Sequence, residues 1–204
     1  IQQLDGEATT TLVTDRQARF DYTRRYRERY PGGMAHALNQ LHIDPIQLDG
    51  LLLFDGLRGA DEVSYAATHL PTARFIVLDA PDVVRVQRLL GRNDTFDQIE
   101  SPHANLDDNQ QLNDFAELGV PQARQIFSST DEASLLGLVQ CGIVTADDLA
   151  AKLRIVVTER RNYDPAGAMA ALHERAPERT IVVDTKRLSP DQAAEQIMAF
   201  IASD

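Results

Sequence analysis

Two groups of residues have the types and spacing to do chemistry. The first is Asp55, which closes the apolar run Leu51-Leu52-Leu53-Phe54 and is followed by Gly56. An aspartate at the carboxyl end of a buried strand can hold Mg²⁺ directly or through water, and the glycine lets the backbone turn sharply after it. The same carboxylate could instead cap the next turn, and both readings stay open. A phosphatase with an aspartyl nucleophile is excluded, because that chemistry needs an aspartate two positions earlier, where Leu53 stands. The second group is Arg85, Arg88 and Arg92, at i, i+3 and i+7. On a helix this spacing puts three guanidinium groups on one face, and guanidinium matches phosphate oxygens bidentately. The plainer alternative is a solvated helix face.

The elements that must position these groups follow from the apolar pattern. Leu51–Phe54, Phe75–Leu78 and Ile181–Val183 are continuous apolar runs without alternation, and they end in Asp55, Asp79 and Asp184. Such runs read as strands buried on both faces, the habit of a parallel sheet. A helical pattern follows each of them. After Pro81, Val83, Val86 and Leu90 form one stripe, which leaves the arginine row on the opposite face. Ser189-Pro190-Asp191-Gln192 is a capping box with proline at its second position, followed by Ala193, Ile197 and Phe200/Ile201 as a buried face. Strand–helix alternation predicts a single α/β domain over residues 1–204, three-layered, with a parallel sheet flanked by helices. Between Asn93 and Tyr163 the pattern is helical instead, with pieces at Asn109–Leu118, Pro121–Phe127 and Asp131–Leu138. Thr145-x-x-Asp148 resembles a further cap; Ile155-Val156-Val157 behind it fits helix or strand. About 70 residues are too many for a loop, so 93–163 reads as a helical insertion or lid.

Composition narrows the function classes. There are 20 Lys plus Arg against 31 Asp plus Glu, a net charge of −11 and a pI near 4.8. That balance argues against nonspecific binding to nucleic acid or to an anionic membrane. One cysteine, Cys141, makes an internal disulfide impossible and leaves no zinc pair. No apolar run approaches the ~20 residues of a membrane span, and no signal peptide is visible, so the expected compartment is the cytoplasm.

The stretch Leu53-Phe54-Asp55-Gly56-Leu57-Arg58-Gly59-Ala60-Asp61-Glu62-Val63 resembles the DG(I/L)R…EV segment of adenylate-kinase-related and dephospho-coenzyme A kinase-like proteins of the P-loop kinase superfamily. Phe75–Asp79, Ala80-Pro81 and the three arginines are similar to the strand, helix and lid arginines of the same proteins, and Thr180 to Pro190 to their last strand and C-terminal helix. The resemblance covers about half of the chain. It implies transfer of the γ-phosphate of ATP, with Mg²⁺, to a nucleotide or other small molecule. Asp55 would be the metal-linked carboxylate, Arg58 would face the acceptor, and Arg85, Arg88 and Arg92 would line the nucleotide's phosphates. No nucleic acid or membrane partner is implied, and self-association is left open.

One part of that machinery is absent. The family's phosphate loop, G-x-x-x-x-G-K-[ST], does not occur. Of the 20 basic residues only Lys152 and Lys186 are lysine, and neither follows a glycine. A dinucleotide fingerprint is missing too, since no G-x-G occurs. The chain opens on Ile1 rather than Met, so the expectation is that the loop precedes Ile1 and that this chain alone transfers no phosphate. The alternative is a kinase-like binding or assembly module that has lost its loop.

Four further features carry weaker signals. Arg16 to Tyr30 holds six arginines, with Tyr22, Tyr26 and Tyr30 at helical spacing before Pro31-Gly32-Gly33. It reads as an amphipathic helix, or as a binder of phosphate or a flat ring. The acidic tract from Asp94 to Glu117 lacks the pattern of a calcium loop and reads as solvated surface. The five histidines have no metal-ligand spacing, and Cys141 reads as a buried packing thiol.

Overall fold

The computed structural model describes residues 16–42, 50–92 and 112–203. Among them are eight α-helices: α1 (Arg16–Arg29), α2 (Gly33–Asn39), α3 (Ala60–His69), α4 (Asp82–Leu90), α5 (Ser129–Gln140), α6 (Ala146–Asn162), α7 (Pro165–Arg175) and α8 (Pro190–Ala202). Two strands, β1 (Phe75–Asp79) and β2 (Thr180–Asp184), pair in parallel with Phe75 opposite Thr180 and Asp79 opposite Asp184. The protein is therefore α/β, mostly helical, with a small parallel sheet. Its described residues fall into two compact units, one within 20–79 and 163–203, the other within 16–19 and 80–162.

The first unit is built on the sheet. Phe75 and Val77 lie on one face and pack with Val63, Ala66 and Ala67 of α3 and Ala171 and Leu172 of α7. The small alanines let the two helices approach each other and the strand closely. Arg179, just before β2, donates to the carbonyls of Ala67, Leu70 and Ala73 at 2.8, 3.1 and 2.9 Å. These acceptors lie at the end of α3 and just beyond it, so one side chain ties the helix end to the start of the second strand. On the opposite face Val183 is fully buried, and α8 packs against β2. The capping box at Ser189 forms in both directions with Gln192, at 3.2 and 2.9 Å.

One expected strand is not formed. Leu51–Phe54 is irregular, and Leu51, Leu52 and Leu53 are 63, 51 and 74% exposed. An apolar run becomes a buried strand only when a neighbour satisfies its backbone groups. Among the described residues the sheet contains β1 and β2 alone.

The second unit is a helical core. Phe115, Leu118, Leu135, Leu149, Leu153 and Val156 are buried in one cluster, against which Val83, Leu89 and Leu90 of α4 are partly buried. Ser128 and Asp131 form a capping box that starts α5, and Thr145 Oγ1 accepts the Asp148 N–H at 3.1 Å as α6 begins. Ile155–Val157 is helix, because α6 runs through it to Asn162 with these three side chains buried. Pro121–Gln125 is a 3₁₀ turn. The candidate helix Asn109–Leu118 does not form over its described part, Leu112–Leu118. There the Asp114 carboxylate accepts the N–H groups of Ala116 and Glu117, offering the backbone a turn in place of a helix. These two bonds, followed by the Arg124 guanidinium, hold the Asp114 carboxyl below the usual range. Cys141 is exposed at the carboxyl end of α5, not buried. Most of the acidic tract lies outside the described residues.

Candidate functional site

Asp55 and Arg58 sit in an irregular segment of the first unit that leads from Gly50 into α3. Asp55 is exposed, and among the described residues its carboxylate accepts no hydrogen bond and forms no ion pair. It caps nothing: the residue before α3 is Gly59, at φ +99°, with no side-chain cap. The segment around Asp55 is nevertheless fixed from behind. Glu62, only 3% exposed, accepts the Arg58 N–H at 2.8 Å through one oxygen and the Met34 N–H at 3.1 Å through the other. A glutamate in the first helical turn that reaches back to a preceding N–H is half of a capping box. Here its second oxygen also holds the start of α2. Gly33 makes this possible: its φ is +50°, and a Cβ there would lie 2.1 Å from Glu62 Oε1.

The arginine–tyrosine helix belongs to this unit from Phe20 onward. Tyr26 and Tyr30 join a cluster of rings. Tyr26 is buried and lies 5.0 Å from Tyr30, whose ring stacks on His36 at 4.5 Å. His36 meets Tyr65 edge-on at 5.8 Å, and Tyr65 stacks on His69 at 3.9 Å. The Tyr26 hydroxyl and His36 Nδ1 share a hydrogen bond of 3.1 Å. Burial, then Tyr30 and Tyr65, hold the Tyr26 hydroxyl above the ordinary tyrosine value. Arg24 pairs with Asp21 and Glu28 of its own helix. Arg27 instead lies over the ring of Tyr163 at 5.0 Å, and Arg58 approaches the same ring at 5.6 Å.

The arginine row belongs to the second unit. Arg85 is not on a solvated face: it pairs with Asp82 at 3.0 Å and with the buried Glu159 of α6, while Arg160 reaches Asp82 at 2.8 Å. This network fastens α4 to α6, so Arg85 is spent on packing. Arg88 is exposed on α4. Arg92 lines a groove of about 210 Å³ with Leu90, Gly91, Asp148 and Lys152. Lys152 thus stands beside one of the predicted phosphate-binding arginines, which its isolation in the chain did not suggest.

Glu62 lay inside the quoted motif, but nothing in its spacing showed that its carboxylate would be buried. Glu159 and Tyr163 carried no local signal; only chain folding brings partners to them. At the carboxyl end of the sheet, Asp184 accepts the Lys186 N–H at 3.0 Å and pairs with Arg187 at 3.3 Å. Asp79 is exposed there. Among the described residues no cluster of three or more His, Cys, Asp or Glu is placed to hold a metal, and no helix is long and apolar enough to cross a membrane. Among the described residues Asp55 belongs to no such cluster. No family model matches the chain, and no curated protein or solved structure does so either.

Proposed function

We propose that this protein is a P-loop kinase-like phosphotransferase whose phosphate loop is not among these 204 residues. Asp55 serves the Mg²⁺ of ATP, and Arg58 faces the acceptor. Arg85 is left out because Asp82 and Glu159 engage it. Catalysis of this type is positioning and charge neutralisation, which asks for this kind of carboxylate and guanidinium set. The observation that carries the reading is Asp55 itself, an exposed carboxylate with no structural duty among the described residues, on a segment held in place by the buried Glu62.

Topology supports it. The connection from β1 to β2 runs through α7, and the connection from Leu51–Phe54 to β1 runs through α3. Both helices pack on the Phe75/Val77 face. Parallel crossovers are right-handed in about 98% of cases, so two crossovers on one face step across a sheet in the same direction. The Leu51–Phe54 run then belongs on the side of β1 away from β2. The three-layer kinase-like sheet we infer would place further strand there, with Asp55 at its carboxyl edge, where ligands bind open α/β sheets.

The test is Asp55→Asn in the protein carrying its phosphate loop. Mg²⁺-dependent transfer should fall by ~10²-fold or more, since one preorganised charge is removed from the transition state, while the melting temperature stays within ~2 °C. A protein that no longer folds would show that Asp55 is structural. A second reading, a kinase-like binding module, is favoured by the absence of any G-K-[ST] sequence. It gains if the whole gene product neither hydrolyses nor transfers phosphate from Mg²⁺-ATP.

A further inference from the structure

Two opposite charges line one groove of the first unit without meeting. The groove, of about 280 Å³, runs along the outer face of α3, and both Asp61 and Arg175 line it. Both residues are exposed, and among the described residues neither side chain forms an ion pair or a hydrogen bond. Helix geometry keeps them apart. Asp61, Ser64, Tyr65 and Thr68 stand at i, i+3, i+4 and i+7, so one face of α3 forms the floor. Arg175 ends the last turn of α7. The two helices run side by side in the same direction. A Cβ on Gly167, near the start of α7, would lie 3.6 Å from the Ala60 Cβ at the start of α3. Arg179, just past α7, reaches the Ala67 and Leu70 carbonyls at the end of α3. Counting equally from Gly167 and Ala60 brings Arg175 level with Thr68. At a rise of 1.5 Å per residue, Thr68 lies about 10 Å from Asp61 along the helix axis. Each charge suits its own helix end, the acid in a first turn and the base in a last turn. That placement still leaves the carboxylate oxygens and the guanidinium N–H groups without partners among the described residues.

Between the charges the groove is preformed. The Tyr65 ring stacks on His69 at 3.9 Å, and a Cβ on Gly32 would lie 2.5 Å from that ring, so the entry to α2 rests directly on it. Thr68 Oγ1 donates to the Ser64 carbonyl at 2.9 Å, which commits its proton and keeps its lone pairs as acceptors.

We infer that this groove binds a small zwitterion of about tripeptide length, with its ammonium on Asp61 and its carboxylate on Arg175. A carboxylate meets a guanidinium through two parallel N–H···O bonds, and an ammonium donates to the aspartate oxygens. An extended chain advances about 3.3–3.6 Å per residue, so three residues span the ~10 Å between the charges and a single amino acid does not. The Ser64 and Thr68 hydroxyls lie along that span to meet the peptide groups. A fixed wall leaves little ordering to be done on binding. The inference is independent of the proposed phosphotransfer, in which neither Asp61 nor Arg175 has a part, so the two fail separately.

The 204-residue chain is titrated with trialanine, N-acetyl-trialanine, trialanine amide and alanine at neutral pH and constant ionic strength, followed by heteronuclear NMR. Trialanine should saturate with a Kd of about 1 mM or tighter and shift the amides of residues 61–68 and of Arg175. Blocking either end, or shortening to alanine, should weaken binding by ~5-fold or more, because a charge-assisted pair is lost. Asp61→Asn should weaken trialanine by the same factor and leave N-acetyl-trialanine unchanged, since that peptide has no ammonium. Arg175→Gln should likewise weaken trialanine and leave the amide unchanged. Both positions are exposed, so each variant should melt within ~2 °C of the parent. If a variant does not fold, the blocked peptides on the unsubstituted chain decide alone. No saturable trialanine binding, shifts away from this groove, or equal affinity for blocked and unblocked peptides overturns the site.

Discussion

The two units bury apolar surface in different ways. The second closes around large side chains, with Phe115, Leu118, Leu135, Leu149 and Leu153 at 2% exposure or less, and among its described residues only Ile143 is a strongly exposed large apolar side chain. The first packs mainly small residues, Ala35, Ala66, Ala67, Ala171 and Ala176, around Val63, Phe75 and Leu172. It leaves Leu51–Phe54, Leu78, Val182 and Met198 exposed. A helix satisfies its own backbone and needs burial on one stripe only, whereas a strand needs a neighbour at each edge. Among the described residues the helical unit buries nearly all of its large apolar side chains, while the first unit leaves apolar side chains on and beside its two-stranded sheet exposed.

The comparison breaks most visibly in the cores. Leu153→Ala should cost about 3 kcal/mol, the transfer and cavity terms for a fully buried leucine, whereas Leu52→Ala should stay within ~0.5 kcal/mol. Denaturant titration of both variants reads this directly. Equal losses would mean that Leu52 is buried in the protein as it exists in solution.

A smaller effect probes the brace behind Asp55. Gly33→Ala should cost about 2 kcal/mol, because alanine at φ +50° is strained and its Cβ would displace the hydrogen-bonded Glu62 carboxylate. In a Glu62→Ala background part of that penalty should vanish, giving a non-additive cycle. Strict additivity would show that Glu62 does not hold α2 and the Arg58 segment together.

The smallest effect is a pH dependence in the first unit. Tyr26 ionises at a higher pH in the folded state than the ~10 of an unfolded chain, because burial and its tyrosine neighbours disfavour the phenolate. Above that pH the unfolded state holds fewer protons than the folded one, so the stability is whole below pH ~10 and declines as pH rises beyond it. Tyr26→Phe should flatten this alkaline slope while losing about 1 kcal/mol at neutral pH with the His36 hydrogen bond. An unchanged slope would place the alkaline transition elsewhere.

Much of the architecture was readable because it rests on local rules. The Ser189 capping box, the Thr145 cap and the Val83, Val86, Leu90 stripe all formed as their spacing predicts. The apolar runs ending in Asp79 and Asp184 became the two strands. The site was less readable. Arg85 had the spacing of a phosphate contact, but Glu159 lies 74 residues away and takes it into the packing of α4 on α6. Leu51–Phe54 had a strand's composition without a strand's partner. Tyr163 had no signal at all, since its meaning comes from two arginines delivered by other elements.

By itself, then, the amino-acid sequence determined the class α/β, where α4, α6 and α8 begin, and that Asp55 and Arg58 share one short segment. Those outcomes depend on neighbours three or four positions away along the chain. Tertiary structure alone decided that Glu62 would be the buried hook behind that segment, that Arg85 would be consumed by packing, and that Arg27 and Arg58 would meet on one tyrosine. Charge pairing and strand pairing are set by distance in space, and residues far apart in the chain reach that distance only after the local elements have packed.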